Sequence, residues 1–257
     1  MKTVIVLDDF GLCKSVNNGI IYVLEHSTIP FEVSLMVYGK AVKHAIKNMP
    51  KNTRLGIHLD PLGWQKTKKV STTQDYIDLF KNHSSDYIEK LVLEELKRFT
   101  DLTGNYPTHI TSHKGIHSNF KVLQAILIYA KQHNIPMRRA NTALNLELTE
   151  NSYASNIMIR RSGLVLTDAL IACIEGNTTQ KVKNCIIENI KRLKEQNTGN
   201  KQPTAEILFH PGFIDKELIE LSSLNYLRGR DLSILLDKDF IKKLENMGVK
   251  FVNYSDL

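Results

Sequence analysis

Residues that can bind a metal or transfer a proton follow four short apolar runs of this 257-residue chain. The adjacent carboxylates Asp8 and Asp9 follow the first run, and His58, His113 and His210 lie at the ends of three later runs. One carboxylate with two imidazoles suits Zn²⁺, Mn²⁺, Co²⁺ or Fe²⁺, and three protein ligands leave a coordination position for water. The remaining carboxylate and imidazole form a proton-transfer pair. The pattern therefore favours a hydrolytic metal site.

Each of these residues alone also has an ordinary structural explanation. Asp8 and Asp9 could cap the helix that begins near residue 14, and a lone histidine after a strand is usually a hydrogen-bonded turn residue. Paired carboxylates after a buried strand are nevertheless unfavourable in a dry space unless a cation compensates them. Their occurrence together with histidines at three other strand ends favours function.

Short β-type runs alternate with helical patterns along the whole chain. The runs predict strands at 3–7, 32–37, 54–59, 108–111, 135–138, 206–209 and 250–252. The spacing of apolar residues predicts helices at 41–47, 88–102, 122–129, 182–193 and 232–244, with a polar excursion around 64–85. This alternation predicts parallel βαβ units, whose strands place their carboxyl ends at one rim. Residues 1–257 thus fit a single α/β domain, either a distorted or incomplete (β/α) barrel or an open doubly wound sheet.

The composition indicates a globular protein that stays in solution. The chain is 42% hydrophobic and has a formal net charge of +7, with basic residues scattered among acidic ones. Scattered charge argues against a nucleic-acid surface, and no apolar run is long enough for a signal peptide or a membrane span. Cys13, Cys173 and Cys185 are widely spaced, which indicates no disulfide framework. We therefore expect a cytoplasmic protein with no nucleic-acid or membrane partner.

The successive motifs of the chain resemble those of YdjC-type carbohydrate deacetylases, the group that includes the chitooligosaccharide deacetylases. The specific motifs are Asp-Asp-Phe-Gly at 8–11, Gly-Ile-His-Leu at 56–59, Ser-His-Lys-Gly-Ile-His at 112–117 and His-Pro-Gly at 210–212. Looser matches are Ile-Pro-Met-Arg at 135–138 and Arg-Gly-Arg-Asp at 228–231. The resemblance covers essentially the whole chain, in the order of the family.

The resemblance implies a (β/α) barrel-like fold and metal-dependent removal of the acetyl group from an N-acetylated amino sugar or chitooligosaccharide. It implies one divalent cation, Zn²⁺ or Mg²⁺, held by Asp9, His58 and His113, with Asp8 as catalytic base and His210 as candidate acid. Residues outside this shell that lie in matching segments would bind substrate, namely His117, Arg138, Arg228 and Asp231. An Arg228–Asp231 pair could orient a sugar ring, or could be a structural salt bridge at a helix start.

Two positions depart from the family pattern. The family usually has an acid before Ser-His-x-His-x-His, where this chain has Thr111, and a middle histidine where this chain has Gly115. Neither position belongs to the implied metal ligands. If the middle histidine of the family helps to bind substrate, its replacement by Gly115 concerns substrate specificity.

Two other functions remain open from the residues. A glycosidase of the same barrel type would pair Asp8 or Asp9 with Glu206 or Asp215, which leaves the histidines unexplained. A sugar-binding or regulatory homologue would keep the metal without turnover, as Gly115 suggests. The expected partner of an active enzyme is a small acetylated sugar, and a homodimer is compatible with the sequence.

Overall fold

The computed structural model describes residues 1–63, 71–140, 152–197, 199 and 201–257. The strands are β1 Lys2–Phe10, β2 Glu32–Leu35, β3 Arg54–Leu59, β4 Ile110–Ser112, β5 Ala169–Ile171, β6 Thr204–Phe209 and β7 Lys250–Phe251. The helices are α1 Lys14–His26, α2 Val42–Asn48, α3 Thr73–Asn82, α4 Ser85–Thr103, α5 Phe120–His133, α6 Ser152–Arg161, α7 Thr179–Gln196, α8 Lys216–Leu221, α9 Leu227–Leu235 and α10 Lys238–Asn246.

All strand pairs of the sheet are parallel, as the alternation of strands and helices predicts. The order is β4-β3-β2-β1-β6-β5, and β7 pairs with the start of β1. The sheet curls into a half-barrel surrounded by helices, and the predicted incomplete (β/α) barrel in one domain is confirmed. Parallel strands place their carboxyl ends at one rim, so the residues that follow β1, β3, β4 and β6 meet there.

Alternating side chains of β1 separate two buried regions. Ile5 and Leu7 belong to the main hydrophobic core between the sheet and the helices. Val4 and Val6 face the inside of the half-barrel, where they pack with Tyr254 in a small second cluster. Burial of each large apolar side chain contributes about 1.5–3 kcal/mol. Because side chains alternate along the strand, one face of β1 packs in the main hydrophobic core and the other faces the interior of the half-barrel.

Helix α4 illustrates how the sequence pattern becomes a packed element. Its buried side chains recur at intervals of three and four, as the predicted amphipathic helix requires. Ser84 caps the helix by accepting a hydrogen bond from the backbone of Tyr87, and Gly104 ends it with a left-handed φ of 71°.

Two predicted elements need correction, and one strand is absent from the prediction. Residues 135–138 form only an isolated bridge between Ile110 and Met137, because Pro136 has no amide hydrogen to extend a ladder. Strand β5 was not predicted, since three residues carry too little pattern. The single helix expected over 232–244 is two helices, and Asp237 caps the second by accepting a hydrogen bond from the Phe240 amide at 2.9 Å.

The cysteine spacing indicates no disulfide framework, but the structure contains one disulfide. Cys173 follows β5 and Cys185 lies on α7, and the two form a disulfide with their Cα atoms 6.2 Å apart. The two cysteines are 12 positions apart, and packing of α7 against β5 brings them together, which their spacing in the sequence does not reveal. Of the predicted excursion at 64–85, residues 64–70 lie outside the described residues, and Thr73–Asn82 forms α3. No helix among the described residues is long and apolar enough to cross a membrane.

Glu32 is a fully buried carboxylate at the start of β2. It accepts hydrogen bonds from Thr108 Oγ1 at 2.8 Å and from the Tyr254 amide at 3.1 Å, and it lies 3.2 Å from His109 Nδ1. Burial raises the pKa of Glu32, but the contacts with His109 and Thr108 outweigh it and lower the pKa from 4.5 to about 2. A carboxylate whose pKa falls on folding stabilises the fold above its unfolded pKa.

We expect the Glu32→Gln variant to lose this pH-dependent contribution. The lowered pKa corresponds to roughly 3 kcal/mol at neutral pH, present above pH 4.5 and lost as the pH falls through about 2. Chemical denaturation should show wild type more stable than the variant at pH 7, and the gap should shrink by about 1 kcal/mol at pH 3.5. A gap that is the same at both pH values would contradict this account.

Candidate active site

β1 delivers both of its carboxylates to one cavity because its end is distorted. In a regular strand, adjacent side chains point to opposite faces. The register between β1 and β2 shifts between Leu7 and Phe10, and Asp9 has a left-handed backbone with φ of 69°. A non-glycine residue adopts that conformation at a cost of about 1–3 kcal/mol, and such strain concentrates at functional sites. Asp8 and Asp9 consequently line the same cavity.

Two buried arginines compensate the two carboxylates. Arg138 donates to both oxygens of Asp8, from Nη1 at 2.6 Å and from Nη2 at 3.0 Å. Arg228 Nη2 donates to Asp9 Oδ2 at 2.6 Å. The expected pairing of Arg228 with Asp231 is therefore wrong. The bulge at the end of β1 brings Asp9 to the arginine, although the two residues are far apart in the sequence.

The other oxygen of Asp9 faces two imidazoles. Asp9 Oδ1 lies 3.3 Å from His58 Nε2 and 3.7 Å from His113 Nδ1. One ligand atom from each of these three residues lies within 4.8 Å of the others. Asp9 Oδ1 is buried and has no hydrogen-bond partner in the described part of the chain. The structure thus brings together the three predicted metal ligands, which come from the ends of β1, β3 and β4.

Each imidazole makes a hydrogen bond through the nitrogen that points away from Asp9. That bond fixes the tautomer, so that the nitrogen facing Asp9 is the unprotonated one. Thr111 Oγ1 donates its proton to the Ile57 carbonyl at 3.2 Å, so it accepts from His58 Nδ1 at 2.8 Å. The Ser71 carbonyl can only accept, so His113 Nε2 donates to it at 3.2 Å. In the neutral rings, His58 Nε2 and His113 Nδ1 therefore carry lone pairs.

Three electron-rich atoms that converge on one point repel one another unless a cation lies between them. The orphaned oxygen and the two oriented nitrogens together fit a divalent metal. The pKa of His113 also shows that this point favours positive charge. Burial lowers that pKa, but the Asp9 carboxylate raises it by more, so the pKa lies above its ordinary value. The donor set is compatible with Zn²⁺ and similar ions that accept nitrogen and oxygen ligands.

His210 lines the same cavity as the three candidate ligands. It follows β6, and its amide donates to Asp231 Oδ2 at 2.9 Å, while its Nε2 is 3.9 Å from Asp8 Oδ2. Asp231 also accepts from Arg230 at 2.6 Å. Burial lowers the pKa of His210, and the carboxylates of Asp9 and Asp8 only partly oppose this. The His210 ring is therefore mainly neutral near pH 7.

Arg138 keeps Asp8 ionised. Burial raises the pKa of Asp8, but the charge of Arg138 outweighs it and the pKa falls to about 2. The pKa of Asp9 lies well below its ordinary value, because Arg228 and the two imidazoles outweigh burial. Both carboxylates are thus negative at neutral pH, which suits a proton acceptor and a metal ligand.

The cavity has a volume of about 330 Å³, and seven of the nine predicted site residues line it. They are Asp8, Asp9, His58, His113, Arg138, His210 and Arg228. Asp231 does not line it and instead holds the His210 backbone. His117, predicted to contact substrate, is also absent from the lining. It is fully buried, with Nδ1 2.6 Å from Ser112 Oγ, because the turn after β4 folds it inward.

The sequence does not reveal the orienting roles of three residues at this site. Glu206 accepts a hydrogen bond from Arg138 Nε at 2.5 Å, and Thr111 and Ser71 orient the two imidazoles. A carboxylate in the middle of a buried strand, such as Glu206, requires a partner, and that is a signal available from sequence. The roles of Thr111 and Ser71 have no such signal, because serine and threonine are common everywhere.

We expect Thr111→Val to weaken metal binding at the candidate site. The substitution preserves the volume but removes the acceptor that orients His58, and loss of such a partner costs about 10–100-fold in metal affinity. Competition against a chromogenic chelator for Zn²⁺ measures the dissociation constant, and Thr111→Ser, which keeps the hydroxyl, should bind nearly as wild type. Equal affinities for the valine and wild-type proteins would refute the orienting role of Thr111.

The chain is similar to known proteins over nearly its whole length. The sequence profile described as YdjC-like protein matches residues 2–246. The chain is 26% identical to a carbohydrate deacetylase of Clostridium beijerinckii, over 100% of both chains. It is also 26% identical to a chitooligosaccharide deacetylase of Yersinia enterocolitica, over 97% of this chain and 96% of that one.

Solved structures share the fold at low sequence identity. A proposed cellobiose-phosphate cleavage protein of Enterococcus faecalis has a TM-score of 0.79 and 18% identity, over 99% of this chain and 98% of that one. A family 4 acetyl xylan esterase of Clostridium thermocellum, solved with a cobalt ion, has a TM-score of 0.50 and 13% identity, over 100% of this chain and 89% of that one. Because the profile covers nearly the whole chain, the protein belongs to the YdjC-like family, among whose named relatives are carbohydrate deacetylases.

Proposed function

We propose that this protein is a metal-dependent deacetylase that hydrolyses the N-acetyl group of an acetylated amino sugar or chitooligosaccharide. The observation that carries the proposal is the convergence of Asp9 Oδ1, His58 Nε2 and His113 Nδ1 beside the ionised Asp8. The names of the relatives support the class of substrate. The cavity volume of about 330 Å³ is within the range of small-molecule sites.

Asp9, His58 and His113 would hold the divalent cation, for which Zn²⁺ or Mg²⁺ is the proposed identity. Two imidazole ligands favour Zn²⁺, and the cobalt ion reported for the acetyl xylan esterase supports an ion of similar chemistry. Such a cation, when bound, supplies Lewis acidity that activates water and polarises the acetyl carbonyl. Arg228 keeps Asp9 Oδ1 available for it by binding Oδ2 of the same carboxylate.

Asp8 is the residue that accepts the proton of the attacking water in this proposal. Its two oxygens are held by Arg138, which in turn contacts Glu206, so the carboxylate cannot rotate freely. Its low pKa ensures that it is unprotonated at every pH near neutrality. Orientation and charge therefore make it a base that is always available, with a modest proton affinity.

His210 is the residue that protonates the departing amine. Because its pKa is lowered, the ring enters the reaction neutral and must first gain a proton. Asp8 Oδ2, only 3.9 Å from His210 Nε2, is the nearest carboxylate that could supply it. Because 3.9 Å exceeds hydrogen-bond distance, in this proposal a bridging water carries the proton from Asp8 to His210, which returns it to the leaving nitrogen. Each such group contributes about 10²–10⁴-fold.

Arg228 offers a further donor to the substrate. It lines the cavity, and its Nη1 is buried without a hydrogen-bond partner in the described residues. Ile174, Leu208 and Leu224 add apolar lining. A polar donor beside an apolar wall suits a sugar that carries both hydroxyl and acetyl groups.

The glycosidase alternative finds little support in the geometry. Among the described residues, the carboxylates that line the cavity are the adjacent Asp8 and Asp9. Glu206 is buried between Arg138 and Tyr254, and Asp215 caps α8 by accepting from the Leu218 amide at 2.8 Å. Within the described residues, the cavity lining thus holds no carboxylate besides the adjacent Asp9 that could pair with Asp8 as a glycosidase requires.

We expect activity to depend on the metal. Prolonged treatment with a chelator should abolish acetate release from an acetylated chitooligosaccharide, and addition of Zn²⁺, Co²⁺ or Mg²⁺ should restore it, because polarisation of the amide is lost without the ion. The His58→Ala variant should stay inactive after the same addition. Full activity of a protein shown to be free of metal by elemental analysis would exclude the proposal.

The Asp8→Asn variant should keep its metal and fold but lose at least about 10²-fold in kcat, since the amide cannot accept the proton. His210→Ala should lose a similar or smaller factor. Acetate release and metal content are measured on the same samples. Near-normal turnover by metal-loaded Asp8→Asn would show that the base lies elsewhere.

A further inference from the structure

A buried polar cluster lies beside the candidate metal site, and its side chains take no direct part in the chemistry proposed above. We call it the Asp60 cluster, formed by Asp60, Ser71, Tyr76 and Glu95. All four residues are at least 98% buried, and none of them lines the cavity. Ser71 Oγ and Tyr76 OH both donate to Asp60 Oδ1, at 2.8 Å and 2.5 Å. The Asp60 amide donates to Glu95 Oε1 at 2.8 Å.

One member of the cluster contacts a candidate metal ligand directly. The Ser71 carbonyl accepts the hydrogen bond from His113 Nε2 at 3.2 Å, and this bond leaves Nδ1 free to face Asp9. The position of that carbonyl therefore sets both the tautomer and the direction of the His113 ring. A shift of Ser71 would therefore reorient the His113 ring and the Nδ1 lone pair that faces Asp9.

The hydrogen bonds of the cluster hold Ser71 from two sides. Its hydroxyl is bound to Asp60, which lies two residues after His58 at the end of β3. On the other side, Ser71 directly precedes Thr72, which caps α3 by accepting from the Asp75 amide, and Tyr76 of that helix is bound to the same Asp60 oxygen. One carboxylate thus ties the end of the strand that carries His58 to the residue that orients His113.

We propose that Asp60 and Ser71 are positioning residues that hold His113 in register with His58 for metal binding. This inference rests on the proposed function, since it concerns the same metal site. The role is indirect, because neither side chain reaches the cavity. Outer residues of this kind fix ligand orientation, and their loss typically weakens metal binding by about 10–100-fold.

Titration with Co²⁺ tests the proposal, because its visible absorption reports the geometry of its ligands as well as its affinity. Ser71→Ala keeps the carbonyl that binds His113 but removes the bond to Asp60. We expect its Co²⁺ dissociation constant to rise about 10-fold and its absorption bands to shift, with a thermal midpoint close to wild type. Tyr76→Phe removes one bond to the same carboxylate and should change affinity in the same direction. It carries the test if Ser71→Ala does not fold.

Ser118→Ala is the matched control. Ser118 is as buried as Ser71, but its hydroxyl has no hydrogen-bond partner in the described part of the protein, so its removal should leave Co²⁺ binding unchanged. The proposed site is present if wild type binds Co²⁺ and His58→Ala abolishes that binding. If Ser71→Ala and Tyr76→Phe then both bind Co²⁺ with the affinity and spectrum of wild type, the positioning role is wrong. If wild type binds no Co²⁺, or His58→Ala binds it equally well, the proposed metal site itself fails.

Discussion

The burial of two adjacent carboxylates at the end of β1 is the constraint on which the rest of the site depends. Asp8 and Asp9 are almost fully buried, and two negative charges without water are strongly unfavourable unless cations compensate them. Arg138 and Arg228 each neutralise one carboxylate. One oxygen of Asp9 is left facing two imidazoles, so the rim still accommodates a further positive charge. A cation at that point would serve the stability of the rim as well as the proposed chemistry.

Buried charges are also paired with opposite charges further inside the half-barrel. Arg138 bridges Asp8 to Glu206, and Glu206 accepts a hydrogen bond from Tyr254 near the C-terminus. Buried ion pairs contribute little net stability, but removing one partner is costly because the other charge is left unpaired. Hydrogen bonds therefore connect Asp8 through Arg138 to Glu206 on β6 and to Tyr254.

Thr111 shows how a departure from the family pattern can preserve ligand geometry. A carboxylate at this position would accept a hydrogen bond from His58 Nδ1, and the Thr111 hydroxyl does the same because its own proton is committed to the Ile57 carbonyl. The tautomer of His58 is thus maintained. The negative charge is not, so the imidazole is less strongly polarised towards the metal than it would be beside an acid. Gly115, the other departure, lies in the cavity wall.

The sequence by itself determined the parallel α/β architecture and the residues that meet at the rim, because strand and helix periods are local and parallel strands align their carboxyl ends. That rule places the residues after β1, β3 and β4 at one rim, but Asp9 joins His58 and His113 there only because the end of β1 is distorted. Only the tertiary structure decided that Arg228 pairs with Asp9, that His117 turns away from the cavity, and that Cys173 meets its partner on α7. The sequence offers several chemically equivalent partners for each of these side chains. Which partner is bound depends on the distances that the packing of the segments sets.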